Sequence, residues 1–150
     1  MIFIELNRGK AKGAVCPSLA RLTVLFGEAL ALRGREKMLK SVSVAFVGRA
    51  EMTRLNEAYH GGQGVTDVLS FPASGKVTKG YLGEIVVYLP RAIAQAKARG
   101  IAVRKEVELL LVHGFLHLLG FDHNTPSRQN TMSRAQVNLL GTYADLALSH

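Results

Sequence analysis

The 150-residue sequence contains a single cysteine, Cys16. One thiol excludes an internal disulfide and any zinc or iron–sulfur site built on several cysteines. Long apolar runs are also missing: the longest, from Leu109 to Phe121, is interrupted by His113 and His117 and is too short to span a bilayer. The first residues lack the basic segment of a secretory signal. These absences predict a protein of the reducing cytoplasm with no membrane partner.

Acidic residues are scarce relative to basic ones, with 11 Asp and Glu against 19 Lys and Arg and a formal net charge of +8. This surplus favours a polyanionic partner, nucleic acid before membrane, but charge alone specifies no chemistry. Each of two basic clusters is either a solvated loop or part of a contact surface. They comprise Arg8, Lys10 and Lys12, and then Arg33, Arg35, Lys37 and Lys40.

Hydrophobic periodicity predicts strands and helices in the order β-α-β-α-β-β-α-α-α. The predicted strands are 2–6, 41–46, 68–71 and 84–88, and the predicted helices are 17–33, 49–59, 90–99, 103–119 and 125–147. Strands mixed with helices, without strict alternation, favour an α+β fold with one small, mostly four-stranded sheet and about five helices. With 48% apolar residues and no linker, the chain is predicted to form one domain over residues 1–150.

Three of the five histidines fall between residues 113 and 123. Residues four apart share a face of a helix, so His113 and His117 can direct two imidazoles at one point. Gly120 can then reverse the chain and let His123 supply a third nitrogen. Three neutral ligands leave a fourth position for water, which is the arrangement of a catalytic zinc site. The spacing therefore predicts a metal site, although imidazoles would accept nickel or copper as well as zinc.

The neighbours of these histidines limit the chemistry. In the zinc-peptidase signature a glutamate follows the first histidine and acts as general base. Gly114 occupies that position here, which argues against a peptidase. Asp122 has two open interpretations: it orients a ligand histidine or shuttles protons, or it forms the turn before the last helix.

The residues from His113 to His123, HGFLHLLGFDH, resemble the H-G-x-L-H-L-x-G-[YF]-D-H signature of the YbeY family of single-strand-specific, metal-dependent endoribonucleases. Two other parts of the chain resemble the family at matching spacing. They are LNEAY at 55–59 followed by TDVLSFP at 66–72, and LGEIV at 82–86. The likeness extends over about residues 40–132.

The resemblance implies an α+β fold related in outline to zinc peptidases, with one zinc ion held by His113, His117 and His123. It implies a cytoplasmic enzyme that matures the 3′ end of 16S rRNA and acts in ribosome quality control, with a metal-bound water attacking the phosphodiester. The implied partners are single-stranded RNA, ribosomal RNA and the small ribosomal subunit, and no DNA is expected. Thr66 and Ser70 would belong to the wall of the RNA groove.

One departure from the family pattern concerns catalysis. His60 follows Tyr59, where the family usually has an arginine, and a neutral imidazole cannot reproduce the permanent charge and forked donors of a guanidinium. His60 could serve catalysis if a nearby phosphate protonates it, or Arg54 or Arg91 could bring the missing charge into the groove. The departure keeps a second function open, that of a zinc-containing ribosome-assembly or RNA-binding factor with little nuclease activity.

Overall fold

The computed structural model describes residues 1–9, 11, 15–59, 61–74 and 80–145. Nine elements follow one another in the order that the periodicity predicts. They are β1 (Ile2–Asn7), α1 (Leu19–Leu32), β2 (Lys40–Phe46), α2 (Arg49–Tyr59), β3 (Val68–Pro72), β4 (Tyr81–Val87), α3 (Leu89–Arg99), α4 (Val103–Leu118) and α5 (Pro126–Leu140). The predicted α+β architecture, with one four-stranded sheet and five helices, is confirmed.

The sheet has the strand order β1-β2-β4-β3. β1 and β4 both run parallel to β2, whereas β3 pairs with β4 in the antiparallel direction. The parallel pairs are joined through helices, and the antiparallel pair follows directly along the chain, as these two kinds of pairing require. The sheet edge formed by β3 therefore lies next to β4 and, as described below, beside α4.

The main core lies between the sheet and helices α1, α4 and α5. Alternate residues of β2, Val42, Val44 and Phe46, point into it, which is the period of two expected of a strand. Phe26 of α1 and Phe115 of α4 stack within this core, with ring centroids 4.1 Å apart. A smaller cluster on the opposite face of the sheet packs under α2. Its buried members are Met52, Leu69, Val86 and Tyr88.

α4 is the central helix of the molecule. It contacts α1, α3, α5, β3 and β4, and most of its residues are buried. This explains why its sequence is apolar on nearly all sides. No helix in the described part of the chain is both long enough and apolar enough to cross a membrane.

The predicted end of the last helix was wrong. α5 ends at Leu140, and Thr142–Ala144 form a short 3₁₀ turn, whereas the prediction carried the helix to residue 147, which lies outside the described residues. The reason is Gly141, whose φ of 119° belongs to a region that other residues rarely adopt and that breaks the helical hydrogen-bond pattern.

Candidate metal centre

Three histidines converge at the end of α4. One ligand nitrogen from each of His113, His117 and His123 can be chosen such that all three lie within 4.8 Å of one another. The Nε2 atoms of His113 and His117 are 3.1 Å apart, because the two residues are one helical turn apart on the same face. The structure therefore brings together the three residues that the spacing predicts.

His123 reaches the other two because the chain reverses after α4. Gly120 adopts a φ of 99°, and the amide of Phe121 donates back to the carbonyl of Leu116 at 3.0 Å. A left-handed glycine that satisfies the last helical carbonyls is a common way to end a helix. It turns the following residues towards the face that carries His113 and His117.

The donor set fits a zinc ion. With bonds of about 2.0–2.1 Å, a tetrahedral zinc site places its ligand nitrogens about 3.3 Å apart, close to the separation of the two α4 imidazoles. Three neutral ligands leave one position open to water or substrate, as in catalytic zinc sites. Imidazole nitrogens do not suit magnesium, which prefers oxygen ligands.

The surroundings keep the α4 imidazoles neutral. Burial lowers the pKa of His113 to about 4, and its hydrogen bond to Gln136 opposes this shift only in part. Burial also lowers the pKa of His117, with a further contribution from His123, while the backbone of Phe121 acts in the opposite direction. Since a metal binds the unprotonated ring, both shifts favour metal binding at neutral pH.

Gly114 is explained by packing. A Cβ atom at this position would lie 2.8 Å from Cγ2 of Ile85 and 3.0 Å from Oγ of Ser70, so α4 can approach the sheet closely only with glycine here. Ser70 also donates to the Gly114 carbonyl at 3.1 Å. A glutamate in the position of the peptidase base cannot fit, which supports the prediction that this site is not a peptidase centre.

The histidines line a cavity of about 570 Å³. Its walls come from α3, α4, β3, the residue before β3 and one residue of α5. The lining residues besides the histidines are Asp67, Val68, Leu69, Ser70, Pro72, Gln95, Ala98, Arg99, Glu106, Leu109, Leu110 and Gln136. Most of the segment 66–72 thus stands beside the histidines, where the resemblance places the groove wall.

The other predicted groove residues lie apart from this cavity. Thr66 is half-buried and its hydroxyl donates to Asp67 at 3.4 Å. Arg54 is exposed on α2 and pairs with Glu51 at 2.7 Å. Arg91 is exposed at the start of α3, donates to the Val65 carbonyl at 3.4 Å, and lines a shallower cavity together with Arg49. Of the predicted groove residues, only Ser70 lines the histidine cavity.

The structure describes only one of the two predicted catalytic residues, Asp122. His60 lies outside the residues that the structure describes. Asp122 accepts hydrogen bonds from the amide of Asn124 at 3.1 Å and from Arg128 at 3.4 Å. These contacts agree with the interpretation of Asp122 as the residue that forms the turn before α5.

Gln136 was not among the residues predicted from the sequence. This glutamine lies on α5 with no exposed surface, and its Oε1 is 2.7 Å from Nδ1 of His113. The available signal was an amide on the apolar face of a helix, between the buried residues Ala135 and Leu139. Buried polar groups require partners, and here the partner is a predicted metal ligand.

Comparisons with known proteins decide the family. The family model described as Endoribonuclease YbeY matches residues 17–144. The chain belongs to the YbeY family. The Endoribonuclease YbeY of Halalkalibacterium halodurans is 37% identical over 115 residues, which are 68% of this chain and 71% of that protein. The Endoribonuclease YbeY of Geobacillus kaustophilus is 38% identical over 112 residues, covering 68% and 72% of the two chains.

A solved structure has a similar fold. The solution structure of TM1509 from Thermotoga maritima matches with a TM-score of 0.60 and 26% identity, covering 95% of this chain and 91% of that chain. The resemblance to the YbeY family noted in the sequence, and with it the assignment to a family of endoribonucleases, is confirmed. The YbeY signature coincides with the convergent histidines and their connecting turn.

Proposed function

We propose that this protein is a zinc-dependent, single-strand-specific endoribonuclease of one domain, with His113, His117 and His123 as the zinc ligands. The observation that carries the proposal is the convergence of three imidazoles in a cavity of a chain from an endoribonuclease family. We further propose the cytoplasm as its location, and the 3′ end of 16S rRNA, on the small ribosomal subunit, as its target in rRNA maturation and ribosome quality control.

His113, His117 and His123 would hold the zinc ion, which would supply an acidified water and neutralise charge on phosphoryl oxygens. Residues of the chain orient a ligand ring and limit the position of the substrate. Gln136 holds the His113 ring, and the segment 66–72 forms a wall that limits where a strand can lie. Apolar side chains of α4 lie in the cavity wall beside the histidines.

The position of the second basic cluster supports an RNA substrate. The guanidinium of Arg33 lies over the ring of Phe121, 4.0 Å from its centroid, in the turn that leads to His123. Arg35 and Lys37 follow in the loop after α1, and Lys40 is the first residue of β2, so these residues add positive charge to the surface that begins at Arg33. Such a surface suits the phosphates of a single strand. Of the first cluster, Lys10 and Lys12 lie outside the described residues.

A nuclease assay on single-stranded RNA tests the proposal, using the native protein, His117→Ala and His60→Arg. We expect His117→Ala to lose cleavage and His60→Arg to cleave faster, because arginine restores the permanent charge and forked donors that the family usually has at this position. Equal cleavage by the native protein and His117→Ala would show that this site does not hydrolyse RNA.

The histidine at position 60 is the reason for a second candidate function, that of a ribosome-assembly or RNA-binding factor with little nuclease activity. A native protein that binds zinc and RNA without cleaving, and that gains cleavage only as His60→Arg, would identify a ribosome-assembly or RNA-binding factor. A peptide substrate serves as the control for reaction class, and we expect no hydrolysis of it because Gly114 leaves no room for the peptidase base.

A further inference from the structure

We propose that Gln136 is a positioning residue of the metal centre, and that its side-chain oxygen holds the His113 ring in the tautomer whose Nε2 is free to bind metal. This inference rests on the proposed function, since it takes the three histidines as the metal ligands. It adds a residue from α5, 23 positions away from His113 in the sequence, to a site otherwise formed by α4 and its following turn.

The hydrogen bonds of Gln136 determine which way its amide faces. Its Nε2 donates to the carbonyl of Ala144 at 2.7 Å, and a carbonyl oxygen can only accept. The other end of the amide, Oε1, is therefore the atom that lies 2.7 Å from Nδ1 of His113. A reversed amide would set two oxygens against each other at Ala144 and two donors against each other at a Nδ1-protonated ring.

The orientation of the amide sets the tautomer of the ring. Because Oε1 accepts, the neutral His113 ring carries its proton on Nδ1 and leaves the lone pair on Nε2. That Nε2 faces the Nε2 of His117 at 3.1 Å. Metal-binding histidines generally donate their second ring nitrogen to such a partner, which fixes ring orientation before the metal arrives.

The turn after α5 holds the acceptor in place. Ala144 is buried in the 3₁₀ turn Thr142–Ala144, where Arg99 donates to the carbonyl of Tyr143. Next to this turn, the hydroxyl of Ser133 bonds to Asp145 at 2.7 Å. The turn therefore fixes the fully buried amide of Gln136, and this amide in turn orients the His113 ring at the metal centre. Since Gln136 is neutral, it orients the ligand without offsetting the charge of the metal.

Gln136→Met tests the proposal, because methionine has a similar length and fills a core position but accepts no strong hydrogen bond. Zinc affinity is measured by competition with a chromophoric chelator. We expect about a 10–100-fold weaker zinc affinity, the usual effect of losing the partner of a ligand histidine. Zinc affinity equal to that of the native protein, in a variant that unfolds at a similar temperature, would overturn the proposal.

Gln95→Met is the matched control. Gln95 is an amide that lines the same cavity, but its Nε2 donates to Asp67 at 3.2 Å rather than to a histidine. We expect its zinc affinity to stay within about twofold of the native value, since no ligand ring depends on it. A loss in Gln95→Met as large as in Gln136→Met would mean that any amide of the cavity acts in this way, and would contradict a specific role for Gln136.

A second measurement needs no variant. The ¹⁵N shifts of the His113 ring in the metal-free native protein report which nitrogen carries the proton, and a purely structural glutamine would not impose one form. We expect protonated Nδ1, and a ring protonated on Nε2 would refute the inference even if Gln136→Met fails to fold. The proposed function fails separately, if the native protein and His117→Ala bind zinc equally.

Discussion

At the scale of single residues, Gly114 gives the sharpest test of how the site is packed. We expect Gly114→Ala to destabilise the protein by about 1–3 kcal/mol, because the added methyl overlaps Ile85 and Ser70 at the contact between α4 and the sheet. Chemical denaturation measures the change in unfolding free energy.

Gly27→Ala is the matched control for this substitution. Gly27 lies inside α1, and a Cβ there meets no atom within 4 Å. Alanine is therefore expected to stabilise the helix by up to about 1 kcal/mol. Equal effects of the two substitutions would contradict the packing explanation for Gly114.

Glu84 on β4 gives a prediction of pH dependence. Burial raises the pKa of its carboxyl group, and repulsion from Glu5 and Glu51 adds to the rise. A carboxyl with a raised pKa in the folded state binds its proton more tightly there. With respect to Glu84, the folded state is therefore at full stability at low pH. It loses stability as the pH rises through that pKa, because ionising the partly buried carboxyl carries a free-energy penalty.

Replacing Glu84 should reveal this penalty. We expect Glu84→Gln to unfold at a higher temperature than the native protein at pH 7, and the difference to vanish near pH 3, where the carboxyl is protonated in both states. Thermal unfolding between pH 3 and pH 8 checks it. Equal unfolding temperatures of the native protein and Glu84→Gln at every pH would refute the prediction.

At the scale of secondary structure elements, Arg99 joins three of them. Its guanidinium pairs with the buried Glu106 of α4 at 2.6 Å and also bonds to the carbonyl of Tyr143 in the last turn. Removing one member of a buried ion pair costs far more than removing an exposed one, because the remaining charge loses a partner away from water.

We expect Arg99→Leu to lower the unfolding free energy by about 3–5 kcal/mol. Arg54→Leu is the control, since Arg54 also pairs with a glutamate but at the exposed surface of α2. Such surface pairs contribute little to stability. Urea unfolding measures the loss of unfolding free energy in both variants. A similar small loss in both would show that the Arg99–Glu106 pair does not hold the elements together.

At the scale of the whole molecule, metal binding should stabilise the fold, because the three ligands converge only when α4 and the turn after it are formed. At a free zinc concentration 100 times the dissociation constant, the gain is about 2.7 kcal/mol, or roughly 5–10 °C in Tm. Differential scanning fluorimetry with zinc, and then with a chelator, measures it.

Two controls accompany this measurement. Magnesium should leave Tm unchanged, since imidazole ligands do not suit it. His117→Ala should not respond to zinc. A zinc-induced shift of the same size in His117→Ala would place the zinc elsewhere and contradict the ligand assignment.

The net charge of +8 also acts at this scale. If the loop after α1 contacts RNA, affinity should fall steeply with salt, because each neutralised phosphate releases counterions. Reversing Arg33 and Arg35 to glutamate should weaken binding and flatten the salt dependence. Lys97→Glu, an exposed change on α3 outside the cavity lining, should do so less. Unchanged affinity in the double reversal would remove that loop from the RNA surface.

The order of elements, the bounds of α2 and the convergence of the histidines followed from the sequence, because each depends on local periodicity or on the geometry of one helix and one turn. The third ligand, His123, could also be predicted, since Gly120 lies between His117 and His123 and allows the chain to reverse. The predicted end of α5 was wrong because Gly141, whose backbone conformation ends the helix at Leu140, lies inside the predicted helix.

The tertiary structure alone decided the rest. The pairing of His113 with Gln136 depends on how α5 packs against α4, and no local pattern in either helix encodes which buried amide meets which ring. In the same way, only the packed structure shows that Ser70 lines the cavity while Arg54 lies apart from it. Periodicity is a property of neighbouring backbone units, whereas these contacts join segments far apart in the chain and exist only once the core has formed.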